Sequence, residues 1–399
     1  MLVVFGPGLL AGLSDDDPAG ITTYSIVGAR YGYELLWVLL LSTVTLIVFH
    51  ELGARLGLVT GQGLVSLVRT TYGQNAAYGI AATLVVANVG TTAAEFAGVA
   101  ASLDLVGVTR FVSVPVAAVL VGTVVVRGSF HRVEHVLLLL ATVFVAYVGA
   151  GILAHPDWGA AAHGLAVPSL PLDRSSLVAV TGVVGTTLAP WGLAFMQSYA
   201  ADKRLRREDL RFERFDVVSG AGLTGIIGLF VVVACAATLH ATGRTDIKDA
   251  RDAAVALRPL AGHFASTLFG VGLLGAALLA AAVVPLSTAY SVSEAVGRPA
   301  ALDDRVREAP FFYGAYVAIL ALGAAIVLVP GVPLVPVLFL TQVLNAVLLL
   351  PLLVAIRALA RRRDLLDDFR NGRVADVIVL VALAIVTAAV VGLGAAVFL

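Results

Sequence analysis

Charged side chains are scarce in this sequence: they make up 13% of its 399 residues, and hydrophobic residues make up 59%. The mean hydropathy is +0.97, whereas a soluble globular chain carries about 25% charged residues. The composition therefore excludes a soluble protein and favours one that lies in a lipid bilayer. The formal net charge is zero, so the charge balance gives no indication of nucleic-acid binding, and we predict no nucleic-acid partner.

Cysteine and catalytic signatures are also in short supply. The single cysteine, Cys235, lies in an apolar run, where we interpret it as a buried thiol and not as a metal ligand or half of a disulfide. We find no Ser-His-Asp set, no Walker loop and no nucleotide motif in a suitable setting. We therefore predict that the chain is not an enzyme and needs no cofactor.

What the sequence does contain is a series of long apolar runs. Crossing a hydrocarbon core of about 30 Å takes about 20 apolar residues in a helix. The Ala, Gly, Leu and Val content of these apolar runs suits packed helices, so the predicted fold class is an all-α polytopic membrane protein. Eleven transmembrane helices are predicted, at 3–27, 36–58, 76–103, 111–126, 134–154, 176–200, 216–240, 264–292, 310–329, 332–356 and 374–398.

Lysine and arginine are concentrated in alternate loops. With a cytoplasmic N-terminus, the loops that follow even-numbered spans, together with Arg55 at the inner end of the second span, hold 19 of the 26 Lys and Arg residues. Cytoplasmic loops retain positive charge, so we predict a multi-pass protein of the cell membrane with its N-terminus in the cytoplasm and its C-terminus outside. The lipid bilayer is then one partner, and a monomer is compatible with the sequence, which does not determine the oligomeric state.

Three consecutive carboxylates, Asp15, Asp16 and Asp17, lie inside the first predicted span. Charged residues within a membrane helix are costly and indicate function. Pro18 and Gly20 follow at once; proline removes an amide donor, and glycine tolerates non-helical backbone. The pattern predicts an interrupted helix in which Asp17 supplies negative charge to a cation site. Asp15 or Asp16 facing water in a cytoplasmic vestibule is the alternative for those two residues.

The sixth predicted span repeats this pattern at Pro190 and Gly192. Pro18 and Pro190 are 172 residues, or five spans, apart, and an odd number of spans inverts the second copy. Interrupted helices at matching places in two inverted halves indicate a transporter with its substrate site near the membrane midplane. The free carbonyls and negative dipole end of each first half-helix suit a cation. A simple proline kink is the alternative interpretation of Pro190.

Short motifs along nearly the whole chain match one known membrane family. They are Gly6-Pro7-Gly8-Leu9, Asp17-Pro18-Ala19-Gly20, the run 54–61 (ARLGLVTG), Gly185-Thr186-Thr187-Leu188-Ala189-Pro190 and Leu340-Thr341-Gln342. Together they resemble the Nramp family of divalent metal transporters. The resemblance implies the LeuT-type fold: two inverted five-helix repeats plus one extra helix, with helices 1 and 6 unwound at the midplane. The expected divisions of this single membrane domain are 1–154, 155–358 and 359–399.

The resemblance also implies the metal ligands. Asp17 matches the family's metal-binding Asp, Gly20 stands where the family has Asn, and Ala189 stands where it has Met. Gln342 is implied as an oxygen ligand, and Asp16 is a further candidate. The residues expected at the helix breaks are Pro18, Ala19, Pro190, Trp191 and Gly192.

The missing methionine bears on which ion is carried. A thioether favours later transition metals, whereas carboxylate, carbonyl and water ligands suit Mg²⁺, Ca²⁺ or Mn²⁺. Mg²⁺ keeps several of its waters, and the truncated Gly20 and Ala189 leave space for them. These departures resemble the Nramp-related magnesium transporters, so we predict Mg²⁺ uptake by alternating access with a largely hydrated ion. The alternative is a proton-coupled carrier of Mn²⁺ or another transition metal.

Proton coupling depends, in the resembling family, on a sixth-helix His and on two acids of the third helix. Here those places read Trp191, Thr92 and Glu95, so we predict transport without proton coupling. Glu95, Thr92 and Asn345 are the candidates for a polar pathway. A non-transporting metal sensor is the alternative from another class, and an organic-substrate permease is disfavoured because a substrate carboxylate would meet three aspartates.

A histidine and a glutamate lie together near the inner end of the second predicted span, at His50 and Glu51. An interfacial role is favoured there over a metal relay.

Overall fold

The computed structural model describes residues 11–12, 14–127, 142–171, 173–202, 209–247, 250–298 and 306–398, and within these residues it contains helices, turns and no strand. We number the main helices α1 (Pro18–Tyr31), α2 (Leu36–Thr60), α3 (Leu64–Tyr72), α4 (Gln74–Asp104), α5 (Arg110–Val126), α6 (Ala146–Leu153), α7 (Trp158–Ala166), α8 (Arg174–Thr187), α9 (Pro190–Asp202), α10 (Leu210–Thr238), α11 (Ala265–Val296), α12 (Pro310–Leu328), α13 (Leu334–Ala360) and α14 (Arg373–Phe398). Short helices at Ala250–Ala254, Arg258–Ala261 and Arg363–Leu366 lie in the connections.

Eight helical segments of the described residues are long and apolar enough to cross a membrane. The 17-residue α5 is a further apolar helix just under that length. The first and fifth predicted spans lie partly outside the described residues, at 3–10 and 13 in the first and at 134–141 in the fifth. The chain is thus a multi-pass, all-helical membrane protein, while the total of eleven spans stays a prediction.

The helices pack in two groups around the broken helices. In one group α10 packs against α1 and α2, and in the other α4 packs against α11 and α12; α13 contacts both α4 and α8. With 31 and 32 residues, α4 and α11 each extend about 45 Å, which is longer than a hydrocarbon core of about 30 Å. At the second break Leu188 belongs to one apolar core and Ala189 to the other, so the breaks lie where the two groups meet.

One helix, α3, occupies a stretch for which the sequence analysis predicts a loop. Its nine residues lie between Gly63 and Gly73, and its first amides are bound by a carboxylate from α11. The backbone amides of Val65 and Ser66 donate to Glu294 Oε2 at 3.0 and 3.1 Å. A negative charge at a helix N-terminus is favourable, so Glu294 fixes this short helix against the end of α11.

Candidate metal site between two broken helices

Both interrupted helices are present, and each interruption is a pair of residues directly before a proline. Residues 14 and 15 are helical, Asp16 and Asp17 are not, and α1 begins at Pro18. In the same way α8 ends at Thr187, and α9 begins at Pro190. The prediction of two interrupted helices is therefore confirmed.

The predicted positions of the breaks need a correction. Pro18, Ala19, Pro190, Trp191 and Gly192 are all helical and form the first turns of α1 and α9. Proline is well suited to the first helical position, because its fixed φ matches the helix and its missing amide would have no partner there. Each proline therefore starts the second half-helix, and the unwound residues precede it.

The two prolines leave equivalent carbonyl groups without a helical donor. Proline has no amide hydrogen, so the carbonyls of Ser14 and Thr186, four residues before Pro18 and Pro190, receive no i+4 hydrogen bond from them. Carbonyl oxygens of this kind suit hard cations. The breaks thus supply matching backbone oxygens from two helices.

Asp17 is the N-cap of α1, and its Oδ1 accepts a hydrogen bond from the amide of Gly20 at 2.5 Å. Asp17 is only 3% exposed, and its carboxyl group lies near the fully buried carboxyl group of Glu95 on α4. The Glu95 oxygens have no hydrogen-bond partner in the described part of the chain. Two buried carboxyl groups therefore lie side by side at the first break.

A glycine on α4 brings Asp17 and Glu95 together. A Cβ placed on Gly98 would lie 2.3 Å from Cγ of Pro18, so only glycine allows the proline ring to approach α4 this closely. Glu95 lies one turn before Gly98 on the same helix, and residues three apart share a helix face. The Pro18 contact therefore sets the position of Asp17 beside Glu95.

Oxygen atoms from both broken helices converge beside Gly20. The position of a Cβ on Gly20 lies 3.1 Å from the Asp15 carbonyl oxygen, 3.2 Å from Asp17 Oδ1 and 3.2 Å from Thr186 Oγ1. The Thr186 hydroxyl is buried and has no hydrogen-bond partner among the described residues. A second contact joins the breaks, between Tyr24 Oη and Thr187 Oγ1 at 2.9 Å. The glycine at this position keeps the oxygen-lined space open.

The predicted ligand Gln342 lies next to the second break. A Cβ on Gly185 would lie 1.8 Å from the Gln342 carbonyl oxygen, so the backbones of α8 and α13 touch here. The side-chain Oε1 of Gln342 accepts from Asn345 Nδ2 at 3.0 Å, and the same nitrogen donates to Thr91 Oγ1 at 3.0 Å. In this arrangement the Gln342 oxygen is held by Asn345, so its ligand role stays a prediction.

The residues of the predicted polar pathway separate in the structure. Glu95 faces Asp17, but Thr92 donates back to the Asn88 carbonyl of its own helix at 2.7 Å and packs against Gly323 of α12. Asn345 donates to Thr91 and to Gln342. Of the three candidates, only Glu95 lies beside Asp17.

The start of α9 is held in place by its own backbone contacts. The carbonyl of Ala189 accepts from the Gly192 amide at 3.1 Å, and the carbonyl of the buried Trp191 accepts from Ser287 Oγ of α11 at 2.8 Å. Asp16 is buried and its carboxylate has no hydrogen-bond partner in the ranges given above. Within those ranges no three His, Cys, Asp or Glu side chains converge on one point, so the site depends on backbone and hydroxyl oxygens as well as carboxylates.

Sequence reasoning missed Thr186, whose hydroxyl oxygen lies beside Gly20. Thr186 had a usable signal, since it lies four residues before a proline in an apolar helix. Asp15 and His50 were both noticed in the sequence, but their positions beside the breaks were not predicted, because those positions depend on how separate helices pack.

Comparison with solved structures defines the fold. The manganese transporter of Eremococcus coleocola, solved with an aromatic bis-isothiourea substituted compound, has a similar fold: the TM-score is 0.77 at 20% identity, covering 97% of this chain and 85% of that one. MhsT in complex with L-phenylalanine is also similar, with a TM-score of 0.60 at 16% identity, covering 96% and 98% of the two chains. The chain therefore has the LeuT-type fold.

The sequence narrows this class to one family. The model of the family described as natural resistance-associated macrophage protein-like, Nramp, matches residues 8–396, and the chain belongs to that family. A relative in Granulibacter bethesdensis, named divalent metal cation transporter MntH, is 28% identical over 404 residues, which cover 96% of this chain and 86% of the relative. These relatives are membrane transporters and not enzymes, in agreement with the prediction from the sequence.

Proposed function

We propose that this protein transports a divalent metal ion across the membrane and binds it between the two broken helices. The observation that carries this proposal is the convergence of the Asp15 carbonyl, the Asp17 carboxylate and the Thr186 hydroxyl beside Gly20. A carboxylate with neutral oxygen ligands is a typical environment for a hard divalent cation. The names of the relatives, which are transporters of divalent metal cations, support the same function.

Mg²⁺ is our first candidate for the transported ion. The three atoms nearest to the Gly20 Cβ position are all oxygens, and oxygen ligands favour Mg²⁺, Ca²⁺ or Mn²⁺ over softer metals. The one methionine among the described residues, Met196, packs with Ala11, Ala54 and Val217 in a separate apolar cluster, and Ala189 stands at the break itself. A largely hydrated ion would occupy the space that these small residues leave.

Mn²⁺ is the second candidate, and the relatives favour it. The Eremococcus coleocola protein is a manganese transporter with the same fold, and Mn²⁺ accepts the same oxygen ligands as Mg²⁺. The difference between the two lies in hydration, because Mg²⁺ gives up its waters more reluctantly.

Uptake into liposomes that contain the purified protein tests both candidates. We expect saturable uptake of Mg²⁺ and Mn²⁺, with Cd²⁺ a weak competitor, since no sulfur ligand lies at the breaks. If Cd²⁺ inhibited Mg²⁺ uptake more strongly than Mn²⁺ did, the proposal of a site with oxygen ligands would be wrong. Metal binding without flux would support the alternative of a membrane sensor.

Proton coupling is proposed to be absent. Trp191 and Thr92 carry no titratable group, and Thr92 faces α12; what remains is the contact of Asp17 with Glu95. A pH-sensitive dye inside the same liposomes measures proton entry during metal uptake. We expect no metal-dependent acidification in the wild type, and acidification that is lost in Glu95→Gln would show that the Asp17–Glu95 pair couples the two fluxes.

The two halves are proposed to be inverted repeats, at 1–154 and 155–358, with a cytoplasmic N-terminus. What supports the repeats is the matching order of residues at the breaks: the proline starts a helix in both, and Gly20 and Gly192 each follow it by two positions.

A further inference from the structure

A second polar pocket lies beside Gly192, the counterpart of Gly20 in the second break. The position of a Cβ on Gly192 lies 3.4 Å from Asp15 Oδ1 and 3.4 Å from His50 Nε2, with Asp15 Oδ2 at 3.8 Å. The two nearer atoms are therefore separated by at most twice 3.4 Å. The pocket combines three elements: the helical residues before the first break, α2 and the first turn of α9.

Asp15 and His50 are buried without hydrogen bonds. They are 2% and 1% exposed, and neither carboxylate oxygen of Asp15 nor either ring nitrogen of His50 has a partner within the described ranges. Buried polar groups are almost always satisfied, because burying one without a partner is costly and burying an ionised carboxylate without one is more costly still. Two such groups that face one point indicate a bound polar species there.

The pocket is distinct from the oxygen-lined space beside Gly20. Asp15 contributes to both, but with different atoms: its carbonyl oxygen lies near Gly20, and its carboxylate lies near Gly192. His50 contributes only to the second pocket. The prediction of an interfacial role thus fits Glu51, which pairs with Arg55 and Arg214 at 3.1 and 2.8 Å, and does not fit His50.

We propose that Asp15 and His50 form a second binding position for a divalent cation, next to the position at Asp17. This proposal rests on the proposed function, since the cation is the transported one. The Asp15 carboxylate supplies negative charge, and the imidazole either ligates the ion or accepts a hydrogen bond from one of its waters. Because Asp15 Oδ1 and His50 Nε2 lie no more than twice 3.4 Å apart, one cation that keeps some of its waters can contact both.

The position of this pocket gives it a role in transport. Asp15 precedes the first break, His50 lies in the second half of α2, and Gly192 follows the second break. In the orientation predicted from the Lys and Arg distribution, all three lie on the cytoplasmic side of the breaks. The second position then binds the cation between the Asp17 site and the cytoplasm.

Mn²⁺ bound to the purified protein is a probe of the histidine, because electron spin-echo modulation detects a nitrogen-14 nucleus near the ion. We expect nitrogen modulation from the wild type and from Asp17→Asn, and its loss in His50→Gln. His263→Gln, which removes an imidazole elsewhere in the chain, is the matched control and should keep the signal. Absence of modulation in the wild type, its loss in Asp17→Asn, or its persistence in His50→Gln would overturn the proposal.

Gly192→Ala tests the same position without removing a charge. The added Cβ would make contacts of 3.4 Å or more, which are ordinary packing distances, so the fold should be retained and its melting temperature unchanged. We expect the number of Mn²⁺ ions bound per chain to fall from two to one and the nitrogen modulation to disappear. Two bound ions in Gly192→Ala, or one in the wild type, would contradict the second position.

The outcomes separate this inference from the proposed function. Metal flux through the wild type with one bound ion and no nitrogen modulation would leave transport in place and remove only the second position. Absence of flux with two bound ions would remove transport and leave the binding position.

Discussion

The two breaks share a backbone arrangement but differ in charge. Each consists of two non-helical residues, a proline at the first helical position and a glycine two residues later. The first break contains Asp16 and Asp17 directly after Asp15, whereas Leu188 and Ala189 of the second are uncharged. The backbone geometry follows from proline in both, so it supplies matching carbonyls, while the negative charge comes from one side alone.

The breaks also differ in what fixes them. Pro18 packs into the space left by Gly98 of α4, which sets Asp17 beside Glu95. The second break is fixed by backbone contacts instead: Gly185 against the Gln342 carbonyl, and the Trp191 carbonyl bound by Ser287. The first break is thus negatively charged and is positioned by a side chain, whereas the second break is neutral and is positioned mainly through backbone groups.

Removal of the negative charge of Asp17 should have the largest effect on metal flux. At an effective dielectric constant of 20, one unit charge 4 Å from another contributes about 4 kcal/mol, so Asp17→Asn should lower metal flux by about 100-fold or more. Asparagine is an equally good N-cap, so the hydrogen bond from the Gly20 amide should be kept and the melting temperature should change little. Uptake into liposomes and thermal unfolding in detergent measure the two effects.

Asp17→Ala separates the cap from the charge. It removes both, so flux should match that of Asp17→Asn while the melting temperature falls further. Flux in Asp17→Asn within a few-fold of the wild type would mean that the negative charge of the first break is not needed for transport.

Disrupting the backbone contact between α8 and α13 next to the second break should have the next largest effect, a loss of protein stability. A Cβ on Gly185 would lie 1.8 Å from the Gln342 carbonyl oxygen and 2.7 Å from the Ala346 amide nitrogen. Backbone atoms yield less easily than the end of a side chain, so Gly185→Ala should destabilise the protein by about 1–3 kcal/mol or more. Thermal unfolding in detergent provides the measurement.

Gly222→Ala is the matched control for this substitution. Gly222 lies in α10 with no atom within 4 Å of its Cβ position, and alanine is favoured over glycine in a helix by about 1 kcal/mol. Its melting temperature should therefore stay the same or rise. Equal losses in the two variants would show that the α8–α13 contact is not what holds the second break.

The sequence alone predicts the existence of the breaks better than their position. Pro18 and Pro190 stand out because proline and glycine interrupt apolar helices, yet proline both ends one helix and starts another, so the unwound pair is not fixed by pattern. The nine-residue α3 is too short for a clear periodic signal. The Asp17–Glu95 contact and the pairing of Asp15 with His50 join different helices, and no local pattern encodes the packing that brings them together.

A thioether at the second break should change the preference between metals. Ala189→Met places sulfur next to the site, and sulfur favours later, softer metals. We expect inhibition of Mg²⁺ uptake by Cd²⁺ to strengthen by about tenfold, or roughly 1.4 kcal/mol. Ala189→Leu, which adds similar volume without sulfur, is the control and should lower flux without this shift. The same Cd²⁺ inhibition in both variants would show that the side chain at 189 does not face the ion.

Substitution of Asp173, an aspartate outside the breaks, should have the smallest effect. It separates the effect of losing a helix cap from the effect of losing an ion ligand. Asp173 caps α8 as Asp17 caps α1, and its carboxylate accepts from the amides of Ser175 and Ser176 at 2.9 and 3.1 Å. Hydrogen bonds from the Ser175 and Ser176 hydroxyls and amides hold the pKa of Asp173 well below its usual range. The ionised form is therefore the stabilising one, and its contribution is present at neutral pH and shrinks as the pH falls below about 4. Asp173→Ala should lower the melting temperature slightly at pH 7, less at acid pH, and leave metal flux unchanged. If flux fell in Asp173→Ala as it does in Asp17→Ala, loss of a helix cap alone would be enough to reduce flux, and only Asp17→Asn, which keeps its cap, would report on the charge beside the ion.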